Sequence, residues 1–407
     1  MKYVIIGNSA AGIGAVEGIR KTDPDGEITI ISNEPHHTYS RPLISYLLLG
    51  KATEETMKYR SPSFYQDNNA ALIHAEVAAI DAAAKKVTTA DGGSVPYDKL
   101  LVATGSSAFV PPMDGLDAVK DKFTFMSLDD AKALEATLAP DKRVLIIGAG
   151  LIGLKCAEGI LARVGHITVI DLAPRILSSI LDEDGAAVVQ AHLEAKGIGF
   201  ALADSVARFD GNTAHLKSGN EVAFDILVLA VGVRPNTALL KGIADINRGI
   251  AINAKSETTA PGIYAAGDCT ETTDIASGDK KIMALLPNAY MQGECAGINM
   301  AGGDASFEKA IPMNAIGFFG LHVITAGNYT GEVYQTADGA NYKRLFYSDN
   351  ALNGYILIGT VEKAGIYTSL IRERTPLDSI DFPLICEKPG LMAFTKQDRR
   401  QKLGGEV

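Results

Sequence analysis

Short apolar runs without strict alternation punctuate the chain: KYVII, EITII, RVLII and HITVI. They are rich in β-branched residues, a pattern that predicts strands buried on both faces of parallel sheets. The runs come in two matching pairs. KYVIIGNSAAGIGAVEGIR precedes EITIISNE, and RVLIIGAGLIGLKCAEGI precedes HITVIDLAPR. Each pair reads strand, glycine turn, helix, second strand, acid. That is a repeated fold unit rather than a short solenoid motif.

Two further segments, YDKLLVATGS (97–106) and FDILVLAVGVRPN (224–236), each give an acid, an apolar strand and a glycine turn. They are expected to close their units. Segment 257–268, ETTAPGIYAAGD, is one more strand ending in Gly-Asp, and it needs a sheet to join. The economical arrangement is α/β, with two Rossmann-like domains, one inserted in the other. Residues 1–110 and 242–310 form the first and 111–241 the second. From 311 the texture changes: FGLHVITAG and YKRLFYSDNALNGYILIG alternate like antiparallel strands, and a helix stops before Pro376. This predicts a small α+β domain over 311–375 and a polar, basic tail over 376–407.

A length of 407 residues exceeds one ordinary core and agrees with two or three domains. No apolar run reaches the ~18 residues of a membrane helix. The N-terminus starts directly on a strand with no export signal, so cytoplasm is the expectation. A net charge of −10 argues against nucleic acid as a partner. Cys156, Cys269, Cys295 and Cys386 are too far apart for C-x-x-C or C-x-x-x-x-C, so they read as buried structural thiols. No metal-ligand spacing appears.

The second glycine turn carries the clearer chemistry. Gly148, Gly150 and Gly153 follow an apolar strand and enter a helix, with Ala157 beyond. The first glycine makes the turn, the second admits a pyrophosphate, and the third lets helix and strand pack. Phosphate charge then meets the helix N-terminus. Asp171 ends the next strand, where a carboxylate accepts ribose hydroxyls and repels a 2′-phosphate, favouring NADH over NADPH. In the first turn, Gly7-Asn8-Ser9-Ala10-Ala11-Gly12, serine stands in place of the middle glycine, and Glu34 is the acid. Asp268 of GIYAAGD offers a carboxylate beside a sugar chain; its plain alternative is a turn aspartate.

The two turns, the ATG of LLVATGS and GIYAAGD resemble the FAD-dependent pyridine nucleotide–disulfide oxidoreductase superfamily, strongly over 1–310 and loosely over 311–375. HHTYSRPLISYLLLGK resembles the segment beside the flavin in NADH:rubredoxin reductases, nitrite reductase flavin domains and ferredoxin reductases of oxygenases. The resemblance implies FAD in the first domain and NADH in the second. Gly7, Ser9, Ala11 and Gly12 would hold the FAD pyrophosphate, and Glu34 the adenosine ribose. Arg41, Pro42 and Ser45 would lie against the flavin, and Val77 would contact adenine through its backbone. Thr104 and Gly105 would line the FAD, and Asp268 would bind the ribityl chain. Asn288 and Ala289 would start a helix near the pyrimidine ring. Gly232 would join Gly148, Gly150, Gly153 and Asp171 on the NADH side. Glu158 matches a glutamate beside the nicotinamide, with Arg41 and Ser45 at the reacting end; the alternative for Glu158 is a solvated helix acid.

The departures from the pattern bear on the acceptor. PLISYLLLG holds no cysteine where several branches carry a redox thiol, and Tyr46 stands where oxygenase reductases often carry lysine. Without a thiol relay, reduced flavin must pass electrons directly, and an iron–sulfur carrier is a natural recipient. The alternatives are a flavin subunit of a larger redox complex, docked through the basic tail (Lys396, Arg399, Arg400, Lys402), and an NADH oxidase using O2. The C-terminal region implies a dimer in the family, while its shortness agrees with a monomer. Asp171→Ser is expected to narrow the ratio of NADH to NADPH activity, measured as kcat/KM for each cofactor. An unchanged ratio would sink the assignment of that carboxylate.

Overall fold

The structure is a computed structural model that describes residues 1–402. The first repeat forms β1 (Lys2–Ile6), α1 (Ala10–Thr22) and β2 (Glu27–Ser32), followed by α2 (Ile44–Leu48), β3 (Ala70–His74) and β4 (Lys99–Val102). The second begins with β5 (Lys122–Phe123) and α3 (Leu128–Glu135). It continues with β6 (Arg143–Ile147), α4 (Leu151–Ile160), β7 (His166–Asp171), α5 (Glu183–Glu194), β8 (Ile198–Leu202) and β9 (Ile226–Leu229). The chain then returns through β10 (Ile263–Ala265) and α6 (Leu286–Met300).

Both sheets are parallel. The first has the order β10-β4-β1-β2-β3, so the Gly-Asp strand joins the first repeat. The second has the order β8-β7-β6-β9-β5. In each, strand order reverses beside the strand that feeds the glycine turn, between β1 and β4 and between β6 and β9. A crevice opens outside the strand ends at such a reversal, and nucleotides bind there.

The helix pair α1–α6 fixes the first half. A Cβ built on Gly14 would lie 2.3 Å from Tyr290 O, and on Gly18 2.3 Å from Glu294 O. Across the contact, Gly293 and Gly297 face Ala11 O and Ala15 O at 1.9 and 2.2 Å. Only backbone fits, so the axes close until small residues interlock. Ile5, Ile13, Val16, Ile19, Ile30 and Leu101 then bury completely beneath α1.

The contacts divide the chain into two units. One holds both parallel sheets. The other holds Arg175–Lys196, Asp274–Asp279 and the chain from Ile311 on. Its sheet is antiparallel: β11 (Met313–Phe318), β12 (Leu321–Gly327), β13 (Glu332–Asp338), β14 (Asn341–Ser348) and β15 (Ala351–Ile358), in the order β11-β12-β15-β14-β13. α7 (Ala364–Glu373) and α8 (Phe382–Glu387) cover it.

Two expectations change here. α5, placed by sequence in 111–241, makes its contacts with the antiparallel sheet. Asp182 caps α5 through Gly185 N (2.9 Å) and also accepts from Tyr342 Oη and Arg344 Nη1, both at 2.7 Å. The expected tail is part of the core as far as Phe394, because Leu377, Ile385, Cys386, Ala393 and Phe394 are buried in it. Lys396–Lys402 form a final helix, and residues 403–407 lie outside the described residues. No helix among the described residues is long and apolar enough to cross a membrane.

Gly293→Val is expected to destabilise the larger unit by at least about 3 kcal/mol or to prevent its folding. Gly365→Ala, on α7 with nothing within 4 Å of the new Cβ, is expected to stabilise the smaller unit by about 0.5–1 kcal/mol. Urea unfolding followed by circular dichroism reads both, and a wild-type midpoint for Gly293→Val would refute the packing argument.

Candidate cofactor sites

The two glycine turns have the same internal geometry. A Cβ on Gly7 would meet Ala103 O at 2.2 Å, and one on Gly148 would meet Ala230 O at 2.2 Å. A Cβ on Gly12 would meet Gly7 O at 2.0 Å, and one on Gly153 would meet Gly148 O at 2.0 Å. These four positions are fixed by packing alone. The middle position is different. Gly150 has nothing within 4 Å of its missing Cβ, so it faces open space.

Ser9 takes that place in the first turn, with φ −110° and ψ −165°, and Gly150 has φ −82° and ψ −174°. Both are extended, a conformation any residue adopts, which is why serine is accommodated. The Ser9 hydroxyl makes no capping bond to α1. Neither α1 nor α4 carries an acid in its first turn, so both helix starts present free N–H groups to an anion. Ala11 contributes backbone only, since its side chain is buried in the core.

The carboxylates are held in place by the backbone and by each other. Asp171 accepts from Ala149 N (2.6 Å) and Ala173 N (2.7 Å), tying the end of β7 to the glycine turn. One bond per oxygen leaves lone pairs for sugar hydroxyls. Glu34 accepts from Tyr39 Oη at 2.6 Å and pairs with Arg41. Arg41 also donates to Met126 O (3.1 Å), and Tyr39 Oη accepts from Leu128 N (3.0 Å). The segment expected beside the flavin therefore reaches the start of α3 in the second half. Ser45 is buried, and its hydroxyl donates to Pro42 O (3.3 Å), closing its own turn.

Asp268 accepts from Ser106 Oγ at 3.4 Å. Burial raises its carboxyl above the usual range, while Ser106 and the Arg41 charge pull it back. Its turn is fixed by Gln292, whose Oε1 accepts from Gly267 N (2.8 Å). Asn288 and Ala289 are buried in the first turn of α6. Arg41 pairs with Glu34, and its charge also favours the ionised form of Asp268. Val77 begins the strand Val77–Asp81 and is half-buried.

Thr104 serves the chain crossing between the halves. Its Oγ1 donates to Asn236 O (2.7 Å), and Asn236 Nδ2 donates to Thr104 O (2.9 Å). Ser106–Ala108 pairs there with Val233–Pro235. Gly105 and Gly232 flank the crossing, each with nothing within 4 Å of a built Cβ.

Glu158 is no solvated helix acid. It is 6% exposed and pairs with Lys155 one turn earlier. Lys155 lies over the Tyr46 ring, 4.5 Å from its centroid. Lys155, Tyr39, Gln292 and Asn236 were not singled out by sequence for these positions. Only Lys155 had a local signal, the i, i+3 spacing to Glu158. All four cysteines are buried. Among the described residues no group of three or more His, Cys, Asp or Glu is placed to hold a metal ion.

Two open-mouthed glycine turns, each with an acid-free helix start and an acid at the next strand end, fit two dinucleotides. The family profile described as pyridine nucleotide-disulphide oxidoreductase matches residues 1–293. The chain is 32% identical to the NADH-dependent phenylglyoxylate dehydrogenase subunit epsilon of Aromatoleum evansii, over 92% of both chains. It is 29% identical to the rubredoxin-NAD(+) reductase of Pseudomonas putida, over 74% of this chain and 80% of that one. The putidaredoxin reductase–putidaredoxin complex has the same fold, with a TM-score of 0.88 at 21% identity over 100% of this chain and 99% of that one. The chain belongs to the pyridine nucleotide-disulphide oxidoreductase family, as an FAD-dependent oxidoreductase of NAD(P)H.

Proposed function

We propose that the protein takes hydride from NADH through FAD and delivers the electrons singly to an iron–sulfur carrier. The observation that carries this reading is the pair of matched turns combined with the burial of every thiol. Two dinucleotides have a place, and no cysteine is positioned to relay electrons between flavin and acceptor. FAD and NADH supply the hydride chemistry when bound. The chain's own residues bind and orient them. Gly7, Ser9 and Gly12 admit one pyrophosphate to the start of α1, and Gly148, Gly150 and Gly153 admit the other to the start of α4. Asp171 and Glu34 take ribose hydroxyls, and Asp268, fixed by Gln292, takes the ribityl chain. Arg41 and Tyr39 hold the first half against α3. The likeness to a rubredoxin reductase supports a one-electron acceptor.

A second reading has its own support. The relative from Aromatoleum evansii is matched over nearly its whole length and is named as a subunit. In this reading the protein feeds electrons to or from an iron–sulfur partner subunit.

The purified protein is expected to carry FAD and, with NADH, to reduce rubredoxin or ferredoxin much faster than it consumes oxygen. Oxygen uptake equal to dye reduction would favour an oxidase instead. Copurification with an iron–sulfur subunit, lost on deleting residues 396–407, would favour the complex. The deletion starts beyond the buried Phe394, so it leaves the core intact. A protein that neither carries FAD nor takes it up would overturn the reading.

A further inference from the structure

The resemblance places Glu158 of α4 beside the nicotinamide, but its partner Lys155 has no part in the reading above. Lys155 Nζ and Glu158 Oε2 are bonded, and the two side chains are 16% and 7% exposed. The ammonium stands 4.5 Å from the centre of the Tyr46 ring. Tyr46 belongs to α2 in the first half, and α4 starts at the open Gly150 in the second. The two helices pack together, and a Cβ on Gly159 would lie 3.0 Å from Ser45 O. They are thus a seam between the nucleotide-binding halves. Hydride passes only between rings in contact, so cofactors held on separate halves must meet at such a seam.

Stability does not account for a buried ammonium there. Desolvation of a buried lysine–glutamate pair offsets most of its attraction, and a cation over an aromatic ring adds only a modest hold. What the arrangement supplies is charge at a fixed place.

We propose that Lys155 provides the positive charge of the hydride-transfer seam, with Tyr46 as its platform and Glu158 as the counter-ion that moderates it. This rests on the FAD and NADH reading. Hydride transfer moves two electrons and one proton from NADH, which leaves as NAD+, and adds one negative charge to the flavin. An ammonium in a water-poor seam favours that added charge. Where α2 meets α4, position 46 of the first half holds a neutral tyrosine, so the cation at that contact comes from α4 of the second half.

Redox titration of the FAD-loaded protein tests this. Lys155→Gln keeps a donor for Glu158 but removes the charge. The flavin's two-electron potential is expected to fall by about 30 mV or more, a tenfold shift in the reduction equilibrium, and Lys155→Arg is expected to restore it. Glu158→Gln is expected to raise the potential. A purely structural pair would not move the two in opposite directions. FAD content and NADH binding are measured on each variant. Retained flavin with an unchanged potential in Lys155→Gln overturns the proposal, as does movement of both variants in one direction. If Lys155→Gln does not fold, an unchanged potential in Glu158→Gln overturns it. A wild-type protein that binds no FAD, or whose FAD is not reduced by NADH, overturns the underlying reading instead.

Discussion

Backbone set directly against backbone is the constraint from which the larger unit is built. At Gly7, Gly12, Gly148 and Gly153 a carbonyl oxygen sits where a side chain would begin, 2.0–2.2 Å from the built Cβ. The contacts at Gly12 and Gly153 pull a helix start onto its own strand end, and those at Gly7 and Gly148 pull that end against the strand across the order reversal. The result is a helix N-terminus aimed at a crevice whose walls are strand ends. The α1–α6 pair extends the same device through Gly293 and Gly297. Because α6 is held so close, Gln292 reaches the Gly267 turn and sets Asp268. Packing of residues that touch no ligand thus decides where ligand-facing groups stand.

Charge is then arranged on that frame with few loose ends. Asp171 is shared between its strand end and the glycine turn, and Glu34 between Tyr39 and Arg41. Arg41 and Tyr39 both reach across to the start of α3. Carboxylates tied in this way keep their orientation without a ligand, which lowers the ordering cost of binding. The same segment carries on into α2, where the polar ties give way to a tyrosine ring under an ammonium.

Most of the larger unit was legible because its signals are local. Apolar runs of five residues, glycine turns and an acid at a strand end each reflect a constraint within a few positions. Ser9 looked like damage to the motif only because the sequence does not display backbone angles; at an extended φ, serine costs nothing. What escaped depends on distant partners. α5 follows the second repeat in sequence, yet Asp182 is drawn to Tyr342 and Arg344. The polar C-terminal segment hides five residues that complete a core. For Glu158 the sequence left a solvated acid as an alternative, because its burial depends on Lys155 and on the facing α2.

The cysteines have a consequence for the protein's durability. Cys156 and Cys269 are fully buried, Cys295 and Cys386 nearly so, and burial raises the thiols of Cys269 and Cys386 to about 11. Thiolate is the form that peroxide and alkylating agents attack, and almost none exists here at neutral pH. Electrons that stray from a flavin to oxygen generate such oxidants beside the protein itself. Buried thiols do not accumulate that injury, and the sulfur left open to it is that of methionines such as Met392, 76% exposed, whose sulfoxide is enzymatically reversible.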